Sequence, residues 1–242
     1  MITTDPEPEK GRLTVVLLTV GLSLLTIALV FRQPWSDGKT AALLGIVNTS
    51  LLTAYALFRR DRPFARLLVF GAVFGLVELV ADALCVRFTG TLDYSPAKSP
   101  MILESPWWMP VAWMVVSIQI GYLGSRMIDR FGEWTGAFLT ALLGAVNIPF
   151  YEEMARYANW WQYRDCRMLP GTHTPLYIIL AELFIGFCLA PLAHRTLKEG
   201  SWSRAVLYGV LGGLSTIIGG LIGYGLPERV WPFLTGERTG LL

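Results

Sequence analysis

The stretch ARLLVFGAVFGLVELVADALCV, residues 65–86, is long and almost wholly apolar. About 20 consecutive apolar residues form a helix that can cross the hydrocarbon core of a bilayer. Within the apolar run lie two acids, Glu78 and Asp82, which the spacing of four places on one face of a helix. The stretch therefore predicts a transmembrane helix that carries a polar site inside the membrane.

Six further apolar stretches flank it, and together they predict spans at 13–31, 40–58, 65–86, 109–128, 134–155, 175–197 and 205–226. The composition agrees, because 53% of the residues are apolar, 16% are charged and the mean hydropathy is +0.49. Soluble domains carry about 25% charged residues. We predict an all-α polytopic membrane bundle of about seven helices, with a cytoplasmic tail at 1–12, a transmembrane domain at 13–226 and a C-terminal tail at 227–242.

The orientation follows from the basic residues of the short loops. The tight cluster RRDRPFAR, residues 59–66, follows the second predicted span. Because Lys and Arg accumulate in cytoplasmic loops, we expect the N-terminus in the cytoplasm, in a prokaryotic inner membrane. The sequence offers no basic, aromatic-laced soluble patch, so we expect no nucleic-acid partner.

The middle of the chain contains two similar units. GAVFGLVELVADAL at 71–84 and GAVNIPFYEEMARY at 144–157 open alike and place acids seven to nine residues on. An aromatic, polar loop follows each, and then a proline-led helix, PWWMPVAW or HTPLYIILAE. The pattern predicts a duplication of helices 3–4 and 5–6, with a site at their interface. Chance similarity between apolar helices is the alternative.

Acids within the spans are the leading candidates for function. A carboxylate at the centre of a membrane costs at least about 2.5 kcal/mol on insertion scales. Arg156 could pair with the glutamates three and four residues before it, whereas Glu78 and Glu182 have no basic residue within one turn. The candidate catalytic acids, all in the outer half of the bundle, are Glu78, Asp82, Glu152, Glu153 and Glu182.

Aromatic residues surround these acids in the sequence. A buried carboxyl group favours its neutral form and can act as a general acid, and aromatic faces stabilise a cation. These two properties suit protonation of an alkene. An aromatic belt at the membrane interface is the alternative for the tryptophans. The candidate substrate-binding residues are Tyr94, Trp108, Trp113, Trp160, Trp161, Tyr163 and Tyr177.

Metal and cofactor chemistry have little support in the sequence. The chain has two histidines, His173 and His194, and we expect neither a metal site nor a cofactor. His173 lies near the acids and is a candidate proton shuttle, ligand or loop cap. Cys85 and Cys166 both fall near the outer face, so a disulfide between them is open.

Small residues recur every four positions in the last span. Ser215, Gly219 and Gly223 form a stripe that lets helix backbones approach closely. The stripe predicts packing, either inside the bundle or between copies in a homo-oligomer.

The two loops resemble a known family. FGLVELVADALCVRFTGTLDY followed by PWWMPVAW, and WWQY followed by GTHTPLYIILAE, resemble the bacterial and archaeal carotenoid hydratases, which are small integral membrane proteins. IPFYEE is similar to an element of the small membrane lycopene cyclases. The likeness spans about residues 70–191. GTHTP replaces a simpler family turn, and Glu152 and Glu153 stand where an aspartate is expected. The resemblance implies hydration or end-group cyclisation of an acyclic carotenoid or related isoprenoid.

We therefore expect a membrane enzyme that protonates an alkene of a lipophilic isoprenoid without a redox cofactor. In this hypothesis Glu78 is the acid and Asp82 its partner, while Glu152 or Glu153 orients water or accepts the final proton. Glu182 and His173 complete the polar wall. The alternative is a non-catalytic membrane protein, either a transporter of a small cation or a subunit of a larger complex.

Overall fold

Seven α-helices make up most of the protein, as a computed structural model that describes residues 6–230 shows. Each contains a segment long and apolar enough to cross a membrane, which confirms the predicted all-α helical bundle and its seven spans. Residues 1–5 of the predicted N-terminal tail and residues 231–242 of the predicted C-terminal tail lie outside the described part. The helices are α1 (Pro6–Val30), α2 (Gly38–Phe58), α3 (Arg62–Leu84), α4 (Met109–Phe131), α5 (Glu133–Tyr157), α6 (Leu176–Lys198) and α7 (Trp202–Gly225).

The helix boundaries follow local sequence signals. Asp37 caps α2 by accepting a hydrogen bond from the backbone N–H of Lys39, and Asp61 caps α3 through that of Phe64. Gly132, at φ 85°, ends α4 and precedes α5 directly, because a left-handed residue stops a helix without strain when it is glycine. The short connections at residues 59–61 and at Gly132 force the helices that they join to run antiparallel.

The long connections all lie at one end of the bundle, which we call the loop end. They comprise residues 31–37, 85–108 and 158–175. A π-helical turn, Cys85–Thr89, continues α3 into the second of them. Residues 90–108 and 158–175, which we call the cap, contain four short strands: β1 (Leu92–Asp93), β2 (Met101–Ile102), β3 (Ser105–Pro106) and β4 (Gln162–Tyr163).

The strands fasten the cap together. β2 and β3 form a small hairpin, whereas β1 pairs antiparallel with β4, so that Leu92 faces Tyr163 and Asp93 faces Gln162. β1 and β4 belong to the two different loops that follow α3 and α5. The two helix–loop–helix units thus share an order of elements that the predicted duplication requires; the duplication itself stays a prediction.

The core of the bundle is formed by α3, α4, α6 and α7, with α5 packed on α4 and α6. The α1–α2 pair packs against this core mainly through α4. Gly75 marks the closest approach of α3 and α4, since a Cβ there would lie 2.1 Å from the carbonyl oxygen of Pro110.

The small-residue stripe of α7 packs inside the chain. A Cβ on Gly223 would lie 2.5 Å from the carbonyl oxygen of Tyr177, and one on Gly219 would lie 3.1 Å from that of Ala181. Both carbonyls belong to α6, and Ser215 is buried. Of the two predicted uses of this stripe, the structure therefore shows packing within the bundle.

Ion pairs link the helices at the end of the bundle opposite the cap. The Arg12 Nε lies 2.7 Å from the Asp61 carboxylate, and Arg126 Nη1 lies 2.7 Å from the Glu9 carboxylate. Arg12 also contacts Glu9, so that the beginning of α1 is tied to the α2–α3 connection and to α4. These pairs therefore link three parts of the chain at this end of the bundle.

Candidate functional site

A cavity of about 300 Å³ lies between the helices beneath the cap. All seven helices contribute to its lining, and four carboxyl groups face it. All four acids are buried, and the described residues that line the cavity include no lysine, arginine or histidine. The four acids are Glu78, Asp82, Glu152 and Glu182. Four carboxylates could not all be ionised in such a place, because burial of an unpaired charge is strongly unfavourable. The cavity is therefore built to hold protons or to receive a cation.

The first two acids form a pair on α3. Asp82 Oδ2 accepts hydrogen bonds from the Tyr94 hydroxyl at 2.6 Å and from Ser105 Oγ at 2.8 Å. Glu78 lies one turn away on the same face of α3, and its Oε2 is buried without a partner among the described residues. Two neighbouring buried carboxyl groups repel each other when both are charged, so the pair favours a state in which one of them holds a proton. Because Asp82 already accepts two hydroxyl donors, Glu78 is the natural holder of that proton.

The third acid, Glu152, is held by the cap. Its carboxylate accepts a hydrogen bond from Trp161 Nε1 at 2.5 Å and one from the Tyr163 hydroxyl at 3.2 Å. The segment after α5 folds back over the end of that helix, which brings both donors onto the glutamate. The two hydrogen-bond donors favour the charged form of the Glu152 carboxyl group and oppose the effect of its burial, which favours the neutral form.

The fourth acid, Glu182 on α6, has no hydrogen bond to any described residue. Gly144 of α5 lies beside it, since a Cβ there would be in van der Waals contact with Glu182 Oε2, at 3.6 Å. Glu182 resembles Glu78 in this respect. The cavity thus holds two acids with firm donors and two with unsatisfied oxygens.

The two cap tyrosines keep their protons. Burial, followed by the nearby Asp82 and Glu78 carboxyl groups, raises the pKa of Tyr94 well above its ordinary value. Burial and then Glu152 do the same to the pKa of Tyr163. Both phenols therefore remain donors to the carboxylates at every pH that the protein would meet.

Aromatic rings form the upper wall of the cavity. The ring centroid of Trp161 lies 6.4 Å from that of Trp108, 6.2 Å from that of Trp160 and 5.9 Å from that of Tyr151. Trp160 Nε1 donates to Thr40 Oγ1 at 2.9 Å. Trp108, Trp160 and Trp161 are 2%, 1% and 8% exposed, so the aromatic-belt interpretation is wrong for these three, because the cap folds them inward. The predicted residues Tyr94, Trp113 and Tyr163 also line the cavity.

Three predicted site residues lie outside the cavity lining. The backbone N–H of His173 donates to Glu153, and His173 Nδ1 lies 3.1 Å from Glu153 Oε2. Tyr177 is buried behind the wall, and its hydroxyl lies 2.8 Å from Thr91 Oγ1. Glu153 is adjacent to Glu152 and therefore points about 100° away from it around the helix. These three groups therefore lie outside the lining of this cavity, and a role for them in the site stays a prediction.

The contacts of Arg156 and of the cysteines also differ from what the sequence left open. Arg156 Nη1 donates to Gln162 Oε1 at 3.1 Å, and the alternative of an ion pair with Glu152 or Glu153 is not found among the described contacts. Cys85, Cys166 and Cys188 are all free thiols, so Cys85 and Cys166 form no disulfide. Burial raises the pKa of Cys166 to about 12.

The cavity reaches the lipid-facing surface on two sides. Leu24 of α1 and Phe150 of α5 line it and are 49% and 50% exposed, as are Leu221 of α7 and Phe88, at 52% and 75%. Above the α1–α5 opening, the Asn159 side chain donates to the Ser36 carbonyl at 3.1 Å. A long apolar molecule in the bilayer can therefore reach the acids sideways.

Sequence reasoning missed part of this site. Ser105 lies in a loop without any motif, and no sequence signal marks it as a partner of Asp82. Asn48 and Gln119 line the lower part of the cavity, and as amides in the middle of apolar spans they could have been selected.

Comparison of the chain with curated proteins and with solved structures found no match. A family profile covers the chain from the end of α3 to the end of α7, which includes Asp82, Glu152, Glu182 and the whole cap. The chain belongs to the family described as "Domain of unknown function (DUF6989)", whose model matches residues 79–226.

Proposed function

We propose that the protein is an integral membrane enzyme that protonates a carbon–carbon double bond of a lipophilic isoprenoid and guides the carbocation to hydration or cyclisation. The observation that carries this proposal is the difference in hydrogen bonding between the acids. Glu78 lies one turn from Asp82 and has an unsatisfied buried oxygen, whereas Glu152 has two donors, and both face one cavity without basic residues among its described lining.

The reaction begins with proton transfer from the Glu78–Asp82 pair. The alkene π electrons form the new C–H bond, and a tertiary carbocation remains on the neighbouring carbon. Asp82 shares the negative charge left behind, because the Tyr94 and Ser105 hydroxyls already stabilise it. A general acid of this kind contributes about 10²–10⁴-fold in rate.

The aromatic wall then holds the cation. Faces of tryptophan and tyrosine attract a cation by about 0.5–2 kcal/mol each, with the larger value where water is excluded. Trp108, Trp160 and Trp161 are buried and contribute such faces. In hydration, water forms the C–O bond and its proton passes to Glu152. In cyclisation, a second double bond forms the C–C bond and Glu152 takes a proton from carbon.

The substrate class follows from the openings to the membrane. An isoprenoid chain too long for a cavity of about 300 Å³ can leave its remainder in the bilayer through either side. The resemblance to carotenoid hydratases and small lycopene cyclases supports an acyclic carotenoid end group as this substrate.

The same geometry disfavours a transporter of small cations. A transport path needs access to both membrane faces, whereas all four acids of the described cavity lining lie within six residues of the loop ends of their helices. A structural subunit would have no need of four buried acids around a cavity.

We also propose that the N-terminus lies in the cytoplasm of a prokaryotic cell and the cap outside. The basic cluster at 59–66 supports this orientation. A single cysteine at Arg164, which lies in the cap with a side chain that is 61% exposed, should then react with a membrane-impermeant maleimide in intact cells when the native cysteines are replaced.

The decisive experiment is conversion of lycopene in deuterated water. Cells that make lycopene would express the chain, and the lipid extract would be analysed by liquid chromatography with mass detection. Hydration gives a product heavier by one water, cyclisation an isomer, and either carries deuterium at the protonated carbon. Glu78→Gln and Glu152→Gln should each reduce the product at least about 100-fold.

Glu153→Gln is the matched control, since it makes the same change one residue from Glu152 and outside the cavity. It should retain turnover close to that of the wild type. Full turnover in Glu78→Gln would refute the assignment of the acid. Absence of any product, with the folded protein confirmed in the membrane, would refute the carotenoid substrate.

A further inference from the structure

The lower part of the cavity contains a second polar layer, made of amides rather than acids. Asn48, Gln119 and Asn147 all line the cavity, and each lies ten residues from the loop end of its helix, α2, α4 and α5 respectively. At 1.5 Å per residue this is about 15 Å below the loop end. The four acids lie only two to six residues from the loop ends of their helices.

Hydrogen bonds to α1 fix the orientation of two of these amides. The Thr19 hydroxyl donates to the Val16 carbonyl at 2.8 Å, so it accepts from Gln119 Nε2 at 3.1 Å. The Ser23 hydroxyl donates to the Thr19 carbonyl at 3.0 Å, so it accepts from Asn48 Nδ2 at 2.9 Å. Each hydroxyl hydrogen is therefore committed to a backbone carbonyl. Neither of these hydrogen bonds uses the side-chain oxygen of the amide.

Those oxygens have no partner in the described part of the chain. Asn48 is 1% exposed and its Oδ1 is buried without a hydrogen bond. Gln119 is 9% exposed, and no hydrogen bond of the described residues reaches its Oε1. Asn147 is exposed at the α1–α5 opening, where lipid would surround it, and it too has no hydrogen bond to a described residue. An unsatisfied polar group in apolar surroundings is costly, so these three amides favour a hydrogen-bonding occupant of the lower cavity, either water or a polar group of a ligand.

We propose that this amide layer is a binding subsite for a neutral hydroxyl group carried by the isoprenoid substrate, away from the double bond that is protonated. A hydroxyl can donate to Asn48 Oδ1 or Gln119 Oε1 and accept from the Asn147 amide. A ketone lacks the donor that the first two require, and an ammonium group would bind the acids above. The inference rests on the proposed function for the isoprenoid class, and it adds that an isoprenoid with a hydroxyl group binds more tightly than the hydrocarbon, so that lycopene would be turned over without use of this subsite.

A pair of probes that differ only in the hydroxyl group tests the subsite directly. Retinol and axerophtene, which is retinol without its hydroxyl, share a polyene that accepts energy from tryptophan. Titration of the protein in lipid nanodiscs with each probe gives a Kd from quenching of the cavity tryptophans. The wild type should bind retinol about fivefold more tightly than axerophtene, the worth of one net hydrogen bond.

Asn48→Leu should reduce this preference to about one, with the Kd of axerophtene changed less than about twofold. Gln119→Leu should do the same, and it serves if Asn48→Leu does not fold. Thr49→Val is the matched control, because the Thr49 hydroxyl is also buried and unpartnered among the described residues but lies outside the cavity lining. It should keep the wild-type preference.

Equal binding of the two probes by the wild type, binding of neither, or a preference that survives in both leucine variants would overturn the subsite. These outcomes do not depend on turnover. Glu78→Gln should retain the preference for retinol. A retained preference without any deuterated product would refute the proposed reaction alone, whereas turnover without a preference would refute the subsite alone.

Discussion

The hydrogen bond from Tyr94 to Asp82 gives a sharp test of how the cap holds the acids. Tyr94→Phe removes one hydroxyl from a buried contact of 2.6 Å and leaves the ring in place. A hydrogen bond to a charged acceptor has a net worth of about 1.5–3 kcal/mol. Ser105 still donates to the same Asp82 oxygen, so we expect the free energy of unfolding to fall by about 2 kcal/mol.

Reversible unfolding in mixed detergent micelles, followed by circular dichroism, measures this change. The structure supplies a control with the same chemistry at the same distance, since the Tyr208 hydroxyl lies 2.6 Å from the exposed Glu199. Tyr208→Phe should leave the stability close to that of the wild type, because water replaces the lost donor. The double variant Tyr94→Phe, Ser105→Ala should depart from additivity by more than about 0.5 kcal/mol, since both donors serve one oxygen.

A loss of less than about 0.5 kcal/mol in Tyr94→Phe, the size of a neutral surface substitution, would contradict this expectation. A loss in Tyr208→Phe as large as that in Tyr94→Phe would contradict it equally. Either result would mean that burial does not set the strength of the Asp82 contact.

Two further predictions concern packing and pH. Gly75→Ala should lower the melting temperature in detergent sharply, because the new Cβ would lie 2.1 Å from the Pro110 backbone oxygen. Gly21→Ala is the control, since its Cβ would meet nothing within 4 Å, and it should be neutral or stabilise by up to about 1 kcal/mol. Burial raises the pKa of Asp93, but hydrogen bonds, the largest from Gln162, outweigh it and leave the pKa below its ordinary value. This stabilisation is present above about pH 4 and is lost as the pH falls through the folded pKa, so wild type should melt above Asp93→Asn at pH 6 and not at about pH 2. A constant difference between the two melting temperatures would contradict the assignment.

The spans could be predicted from the sequence because each is a continuous apolar run bounded by charges or turn residues. The depth of Glu78 and Glu182 followed in the same way, since helix rise converts position into distance. Which of Glu152 and Glu153 faces the cavity could not be predicted from the sequence. Adjacent residues differ only in helical phase, and both glutamates have aromatic neighbours in the sequence, so only the packing of α5 against α4 and α6 decides which one faces the cavity.

The burial of the tryptophans beneath the cap could not be predicted from the sequence either. An indole near a membrane surface has the same local pattern whether it lies in the interface or under a folded loop. The fold-back of the segment after α5 depends on long-range contacts, such as the hydrogen bond from Trp160 to Thr40. The contribution of α1 and α2 to the lower cavity likewise depends on tertiary packing, since Ser23 and Asn48 are 25 residues apart.

The pairing of β1 with β4 joins the loops after α3 and α5 into one structural unit. Tyr94, next to β1, holds Asp82, and Tyr163, within β4, holds Glu152. If the cap lifts as a unit, both carboxylates lose their phenol donors in the same motion, and both regain them when it closes. Proton donation on one side of the cavity is then coupled to proton acceptance on the other. The coupling runs through β1 and β4, which are only two residues long each.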